Sequence, residues 1–185
     1  MHRGHLSAAT QLLARAGLDE VWLMPNAQPP HRTSLPLAPA QDRLQMVRLA
    51  TANVRGLSVC PLEVERGGIS YTIDTFRRLR LSEPDRPLQL LLGSDAALQI
   101  ESWHEAQELL REASFVIFSR PPVALASGQL ERLGFPADRT QVVTLQTPAI
   151  SGRMVRERLR RGEPVLDLVT PEVADYIRDR GLYRS

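Results

Sequence analysis

Hydrophobic positions along the chain alternate between two spacings, one helical and one extended. Over residues 5–16, Leu6, Ala9, Leu12, Leu13 and Ala16 fall at helical intervals, and Gly17 follows as a helix stop. A short apolar run at 21–24 (Val21, Trp22, Leu23, Met24) predicts a buried strand closed by Pro25. Prolines 25, 29, 30, 36 and 39 make 25–39 a loop, and helical spacing resumes over 40–54 with Leu44, Val47 and Ala50 on one face. The same logic gives a strand at 57–62 and a helix at 71–80 with Phe76 and Leu79 inward. A continuous apolar strand follows at 88–92, then a helix at 104–112 and a strand at 115–118. A weaker helix near 127–133 and a strand at 141–145 complete the alternation. Strands apolar on both faces, alternating with helices, predict an α/β fold: a Rossmann-like, doubly wound, mostly parallel sheet with helices on both faces.

The last part breaks the alternation. Residues 151–161 and 170–180 read as two helices with no strand between them, so 150–185 forms a helical C-terminal segment. Thr170 as N-cap, Pro171 at the first helical position and Glu172 in the first turn start the second, and Gly181 stops it. No internal repeat or low-complexity linker interrupts the chain, and 1–185 is expected to be a single domain.

Composition narrows the classes. With 185 residues, 43% of them hydrophobic and 24% charged, the chain has the make-up of an ordinary globular protein. No apolar run approaches the roughly 20 residues of a membrane span, and the N-terminus lacks a signal-peptide pattern. A cytoplasmic protein with no membrane partner is expected. The single cysteine, Cys60, excludes an internal disulfide framework and a cysteine-based metal cluster. All 23 Lys+Arg residues are arginines, which reads first as genomic base composition. The net charge of +2 is too small to argue for a nucleic-acid partner, although arginines are dense at 153–161.

Candidate chemistry begins at His2-Arg3-Gly4-His5. Two imidazoles three residues apart at a helix start face the same side. The helix N-terminus adds unpaired N–H groups and partial positive charge, and a glycine between the histidines gives a phosphate close access to the backbone. The pattern points to a polyphosphate site, though two histidines near an N-terminus are also compatible with a solvated tail. Asp95, closing the strand end Gly93-Ser94-Asp95, stands on the carboxyl edge where open α/β sheets bind ligands. Thr72, Asp74 and Thr75 can cap the helix they begin. Trp103 suits either a core position or a stacking platform, and the arginines of 153–161 either a solvated helix face or a phosphate site.

Taken in order, these segments resemble the nicotinate-nucleotide adenylyltransferases, which are HxGH nucleotidyltransferases. The matching elements are His2–His5, the loop Pro25-Asn26-Ala27-Gln28-Pro29-Pro30-His31-Arg32, Ser70-Tyr71-Thr72-Ile73-Asp74-Thr75, and Gly93-Ser94-Asp95 with Trp103-His104. Phe118-Ser119-Arg120-Pro121, Ile150-Ser151-Gly152-Arg153-Met154-Val155-Arg156 and the tail 173–183 follow. The resemblance implies transfer of AMP from ATP to nicotinate mononucleotide, with Mg²⁺ carried on ATP and no protein metal site. It implies that His2 and His5 are catalytic and that Gly4, Gly93, Asp95, Ser151 and Arg156 join them in binding ATP. His31, Arg32, Tyr71, Thr72, Trp103 and His104 would bind the mononucleotide, Trp103 stacking on the pyridine and backbone N–H groups near Thr72 and His104 meeting its carboxylate.

The chain departs from the pattern at two places. Gly152 and Arg153 stand where the family has Ser and Thr. The family also precedes its first histidine with a strand and a Gly-rich turn, so the expectation is that the natural protein begins earlier and that this strand is the central one. A pantetheine-phosphate adenylyltransferase-like or cytidylyltransferase enzyme, a nucleotide-binding protein without catalysis and a nucleic-acid module using 153–161 stay open, as does a homo-oligomer.

Overall fold

A computed structural model describes residues 1–28, 38–119, 125 and 128–183. In chain order the helices are α1 (Arg3–Arg15), α2 (Ala40–Thr51), α3 (Leu62–Arg66), α4 (Thr72–Ser82), α5 (Ser94–Ala97), α6 (Ala106–Glu112), α7 (Gln129–Arg132), α8 (Gly152–Arg160) and α9 (Pro171–Asp179). The strands are β1 (Val21–Leu23), β2 (Leu57–Val59), β3 (Gln89–Gly93), β4 (Ser114–Ser119) and β5 (Thr140–Thr144). They make two compact units, one of Met1–Ile69 with Thr147–Ser185 and one of Ser70–Gln146.

In the first unit β1 and β2 pair in parallel, Val21 opposite Leu57 and Leu23 opposite Val59. α1 buries Ala8, Ala9 and Leu12. It ends as its glycine requires: Gly17 sits at φ +67°, and Leu18 N–H donates to the Leu13 carbonyl at 3.1 Å. A second apolar cluster joins Met46 and Ala50 of α2, Val155 of α8, and Val173 and Ile177 of α9. That cluster explains why the C-terminal segment is helical: each helix offers one apolar stripe to the same core.

The second unit is a three-stranded parallel sheet in the order β3-β4-β5, with Leu91 opposite Val116 and Ile117 opposite Val142. The middle strand, β4, is the most buried; Phe115, Val116 and Ile117 are at most 1% exposed. Ile73 and Phe76 of α4 and Leu109 and Leu110 of α6 cover the sheet together with Phe135.

The expected α/β class with parallel strands and flanking helices is present. The strands differ from the expectation of one doubly wound sheet: among the described residues they form two sheets, because β1 pairs only with β2 and β3 only with β4. The strand expected at 57–62 stops at Val59. Pro61 takes helical angles there and begins α3, with Glu63 in its first turn, a start signal that the apolar run concealed. Leu79 is half-buried, and the inward anchors of α4 are Ile73 and Phe76. The helix expected from 104 starts at Ala106, because Glu105 has left-handed angles of φ 48° and ψ 44°.

Candidate functional site

The histidine pair takes shape from the start of α1. His2 occupies the N-cap position with extended angles, and its carbonyl accepts from the N–H of His5 at 3.0 Å. This turn brings the imidazoles into a stack with centroids 3.7 Å apart and 19° between ring planes. His2 is buried and His5 exposed, so the pair presents one ring to solvent and keeps the other inside. Arg3 ties the turn down, its N–H donating to the Leu168 carbonyl at 2.8 Å. Gly4 corrects an expectation. A Cβ there would stand 3.1 Å from the His2 ring and 3.3 Å from the Pro148 carbonyl. Protein atoms fill the space that the glycine leaves, so Gly4 serves the packing of His2 and gives no open approach to the backbone.

In the same unit, Ser151 is the N-cap of α8 and its Oγ accepts from Met154 N–H at 3.1 Å. A serine hydroxyl that accepts this bond keeps its own O–H to donate to an anion. Arg156 lies one turn on, with Nη1 3.1 Å from where a Cβ at 152 would be, so Gly152 lets the guanidinium lie against the first turn of α8. Arg153 is engaged elsewhere, pairing with Glu157 at 2.7 Å on an exposed surface. Arg158 pairs with Asp167 at 2.8 Å, and Arg161 with Glu163 at 3.8 Å. These carboxylates interleave with the arginines and remove the bare basic face that a nucleic-acid module needs. Around the Met1 α-amino group, burial and then the charges of Arg43 and Arg156 lower its pKa to about 6.

The second unit holds the other predicted residues. Gly93 ends β3, and a Cβ on it would stand 2.6 Å from Asp95 Oδ1, so glycine is needed for the carboxylate to fold back over the strand end. Asp95 is exposed at that carboxyl edge. Tyr71, not Thr72, is the N-cap of α4, and its side chain makes no cap bond. The Tyr71 ring meets the His104 ring at 4.2 Å, tilted by 30°. Trp103 is half-buried against the core of this unit, and its N–H donates to the Ile100 carbonyl at 2.9 Å. It is both packed and partly open, so the two readings of this tryptophan are compatible. His31 and Arg32 lie outside the described residues, as do Arg120 and Pro121. An open groove of about 390 Å³ lies among Arg80, Arg86, Gln89 and Ser114, at the amino ends of β3 and β4, and its lining includes none of the predicted site residues.

Several polar residues beside these elements escaped the sequence reading. Arg43 donates to the carbonyls of Ala27 at 2.8 Å and Ala38 at 3.1 Å. Buried Asp42 accepts from the Tyr176 hydroxyl at 2.7 Å and from Arg180 Nε at 3.2 Å. Arg77 reaches Glu112 at 2.7 Å and Glu105 at 2.8 Å. Only Asp42 carried a sequence signal, as the acid in the first turn of α2. The others are pairings between distant segments.

A family model described as "Cytidylyltransferase-like" matches residues 1–158. A protein of Acidothermus cellulolyticus named "Probable nicotinate-nucleotide adenylyltransferase" is 38% identical over 191 residues, covering 100% of this chain and 89% of its own length. One of Salinispora arenicola with the same name is 39% identical over 187 residues, covering 100% and 96%. The fold matches a Plasmodium falciparum nicotinic acid mononucleotide adenylyltransferase complexed with NaAD, with a TM-score of 0.81 at 20% identity over 99% of this chain and 91% of that one. The chain belongs to the cytidylyltransferase-like family and, within it, to the nicotinate-nucleotide adenylyltransferases.

Proposed function

We propose that this chain transfers AMP from ATP to nicotinate mononucleotide, giving nicotinate adenine dinucleotide and pyrophosphate in NAD biosynthesis. The observation that carries the reading is the stacked His2–His5 pair at the N-terminus of α1, in a chain 38–39% identical to proteins that bear this activity in their names. A 5′-phosphate oxygen of the mononucleotide attacks the α-phosphorus of ATP in line. The bond from that phosphorus to the oxygen bridging to the β-phosphate breaks, and pyrophosphate leaves with the electron pair. Such a transfer needs positioning and charge neutralisation more than covalent chemistry from the protein.

His5 is the exposed ring and donates to the α- and β-phosphate oxygens, while buried His2 holds it in place. The Ser151 hydroxyl and Arg156, one turn apart on α8, bind the β- and γ-phosphates of the leaving group. Gly4 acts through His2, and Gly93 shapes the strand end that carries Asp95, which accepts from the ATP hydroxyls. Tyr71, Trp103 and His104 hold the pyridine end, and the N–H groups of Thr72 and His104 receive its carboxylate. His31 and Arg32 contact the mononucleotide phosphate. Mg²⁺ arrives as part of the substrate, held by triphosphate oxygens and water. No helix is long and apolar enough to cross a membrane, among the residues described.

The test is the full 185-residue chain with ATP, Mg²⁺ and each pyridine mononucleotide, following pyrophosphate release. Release that depends on nicotinate mononucleotide is expected. Release with pantetheine phosphate or CTP instead, or ATP binding without turnover, would overturn the reading.

A further inference from the structure

The residue after His104 stands in a conformation that its side chain does not favour. Glu105 has φ 48° and ψ 44°, in the left-handed region where a Cβ meets the following carbonyl oxygen. Only one other described non-glycine residue, Tyr183, has a positive φ. A residue stays there when its surroundings hold it. Here both carboxylate oxygens are held. Oε2 accepts from Arg77 Nη1 at 2.8 Å, and Oε1 stands 3.5 Å from His104 Nε2.

Arg77 is itself fixed at its other edge. Its Nε and Nη2 both donate to Glu112 Oε1, at 3.0 and 2.7 Å. One guanidinium from α4 thus spans the two ends of α6, its N-cap Glu105 and its last residue Glu112. Half-exposed ion pairs add little stability singly. The planar fork can instead fix a geometry, which a flexible ammonium could not. The turn that it fixes carries Trp103 and His104, and the His104 ring rests on Tyr71 from the start of the same α4. The helix therefore grips this turn twice, at Tyr71 and at Arg77.

We infer that Arg77 is a positioning residue for the pyridine nucleotide: through Glu105 it holds the Trp103–His104 backbone in the conformation that meets the substrate carboxylate. Arg77 touches no substrate itself. The inference rests on the assignment of Trp103 and His104 to nicotinate mononucleotide.

The test uses the full chain with Arg77→Gln, Glu105→Gly and the double variant. Loss of the guanidinium frees Glu105 to leave the left-handed region. KM for nicotinate mononucleotide should then rise roughly 10-fold or more, as for a group displaced by about an ångström. KM for ATP should stay within about 2-fold, since only pyridine contacts are disturbed. Glu105→Gly removes the same ion pair, so it should raise KM for the mononucleotide to a similar extent, and the double variant should be little worse than either single one. Hydrogen exchange at the amides of residues 103–106 should quicken in Arg77→Gln and to a similar extent in the double variant.

An unchanged KM for the mononucleotide in Arg77→Gln, a parallel rise for ATP, or fully additive losses in the double variant would overturn the inference. If the unmodified chain does not use nicotinate mononucleotide, the assignment of substrate fails. Hydrogen exchange still decides the role of Arg77 in that case, with unchanged exchange overturning it.

Discussion

His2 and His5 stack with 3.7 Å between ring centroids, one ring buried and the other exposed. The buried ring cannot reach a bound triphosphate as freely as the exposed one, so the two are not equivalent. In the proposed reaction His5→Ala removes a donor that would act mainly on charge developing in the transition state. It should cost about 2.7–4 kcal/mol, or roughly 10²- to 10³-fold in kcat, with a smaller change in KM. Steady-state kinetics on a folded variant checks this, and an unchanged kcat would remove His5 from the chemistry.

Gly4→Ala should damage activity while leaving stability nearly intact. Alanine favours the helix over glycine by about 0.8–1.0 kcal/mol. Against that gain, the new methyl would stand 3.1 Å from the His2 ring and 3.3 Å from the Pro148 carbonyl. His2 is only 5% exposed and has little room to withdraw. The ring must shift and carry the stack with it, so kcat should fall about 10-fold or more while the urea midpoint moves little. Normal kcat in this variant would show that the stack tolerates displacement.

Asp42→Ala should destabilise the first unit. The aspartate is 4% exposed and takes two donors, the Tyr176 hydroxyl of α9 and Nε of Arg180, the C-cap of that helix. Its hydrogen bond with the tyrosine also raises the Tyr176 pKa, because a carboxylate favours the neutral phenol. Removing the acceptor should cost on the order of 1–3 kcal/mol. A double-mutant cycle with Tyr176→Phe should show coupling above about 0.5 kcal/mol. Additive effects would mean that Asp42 acts without Tyr176.

Acid should weaken the second unit through Glu112. Its hydrogen bond from Arg77 holds the carboxyl below the ordinary glutamate range. The folded state then binds fewer protons than the unfolded one near and below the unfolded pKa of about 4.3. The contribution is fully present above that pH and is lost as pH falls through the lower folded value. Thermal midpoints of the parent and Glu112→Gln should therefore differ at neutral pH and converge in strong acid. A constant difference across the range would contradict the linkage.

Most elements were legible because each has a local signature. The stop at Gly17 and the start at Pro171 are set by backbone preference, and the core of β4 by an apolar run. The two imidazoles could be placed together from helical spacing alone. What escaped lies in pairings over long sequence distance, such as Asp42 with Tyr176 or Arg77 with Glu112, where neither partner is unusual on its own. Glu105 escaped for a different reason: glutamate gives no hint of a left-handed backbone, and the helix pattern ran straight through it. Gly4 read correctly as a position that needs glycine, but the neighbour that requires it is His2, which only the folded turn reveals.

The last prediction concerns Trp103 and the choice between acid and amide. Trp103 is half-buried, and the ring of the next residue, His104, is in contact with that of Tyr71. A pyridine stacked on its open face would direct the 3-substituent toward the N–H groups of Thr72 and His104. A carboxylate can accept from both, whereas a carboxamide turns an NH₂ toward one of them and leaves a donor facing a donor. The mismatch should cost on the order of 1–3 kcal/mol, so nicotinate mononucleotide should be preferred by about 10-fold or more in kcat/KM. Trp103→Ala should raise KM for the mononucleotide and leave KM for ATP nearly unchanged, because the ring contributes stacking area to one substrate only. Kinetics with each mononucleotide at saturating ATP measures both effects. Equal kcat/KM for acid and amide in the parent chain would remove the carboxylate contacts from the mechanism. A KM for the mononucleotide that ignores the loss of Trp103 would return that side chain to a purely structural role in the core of the second unit.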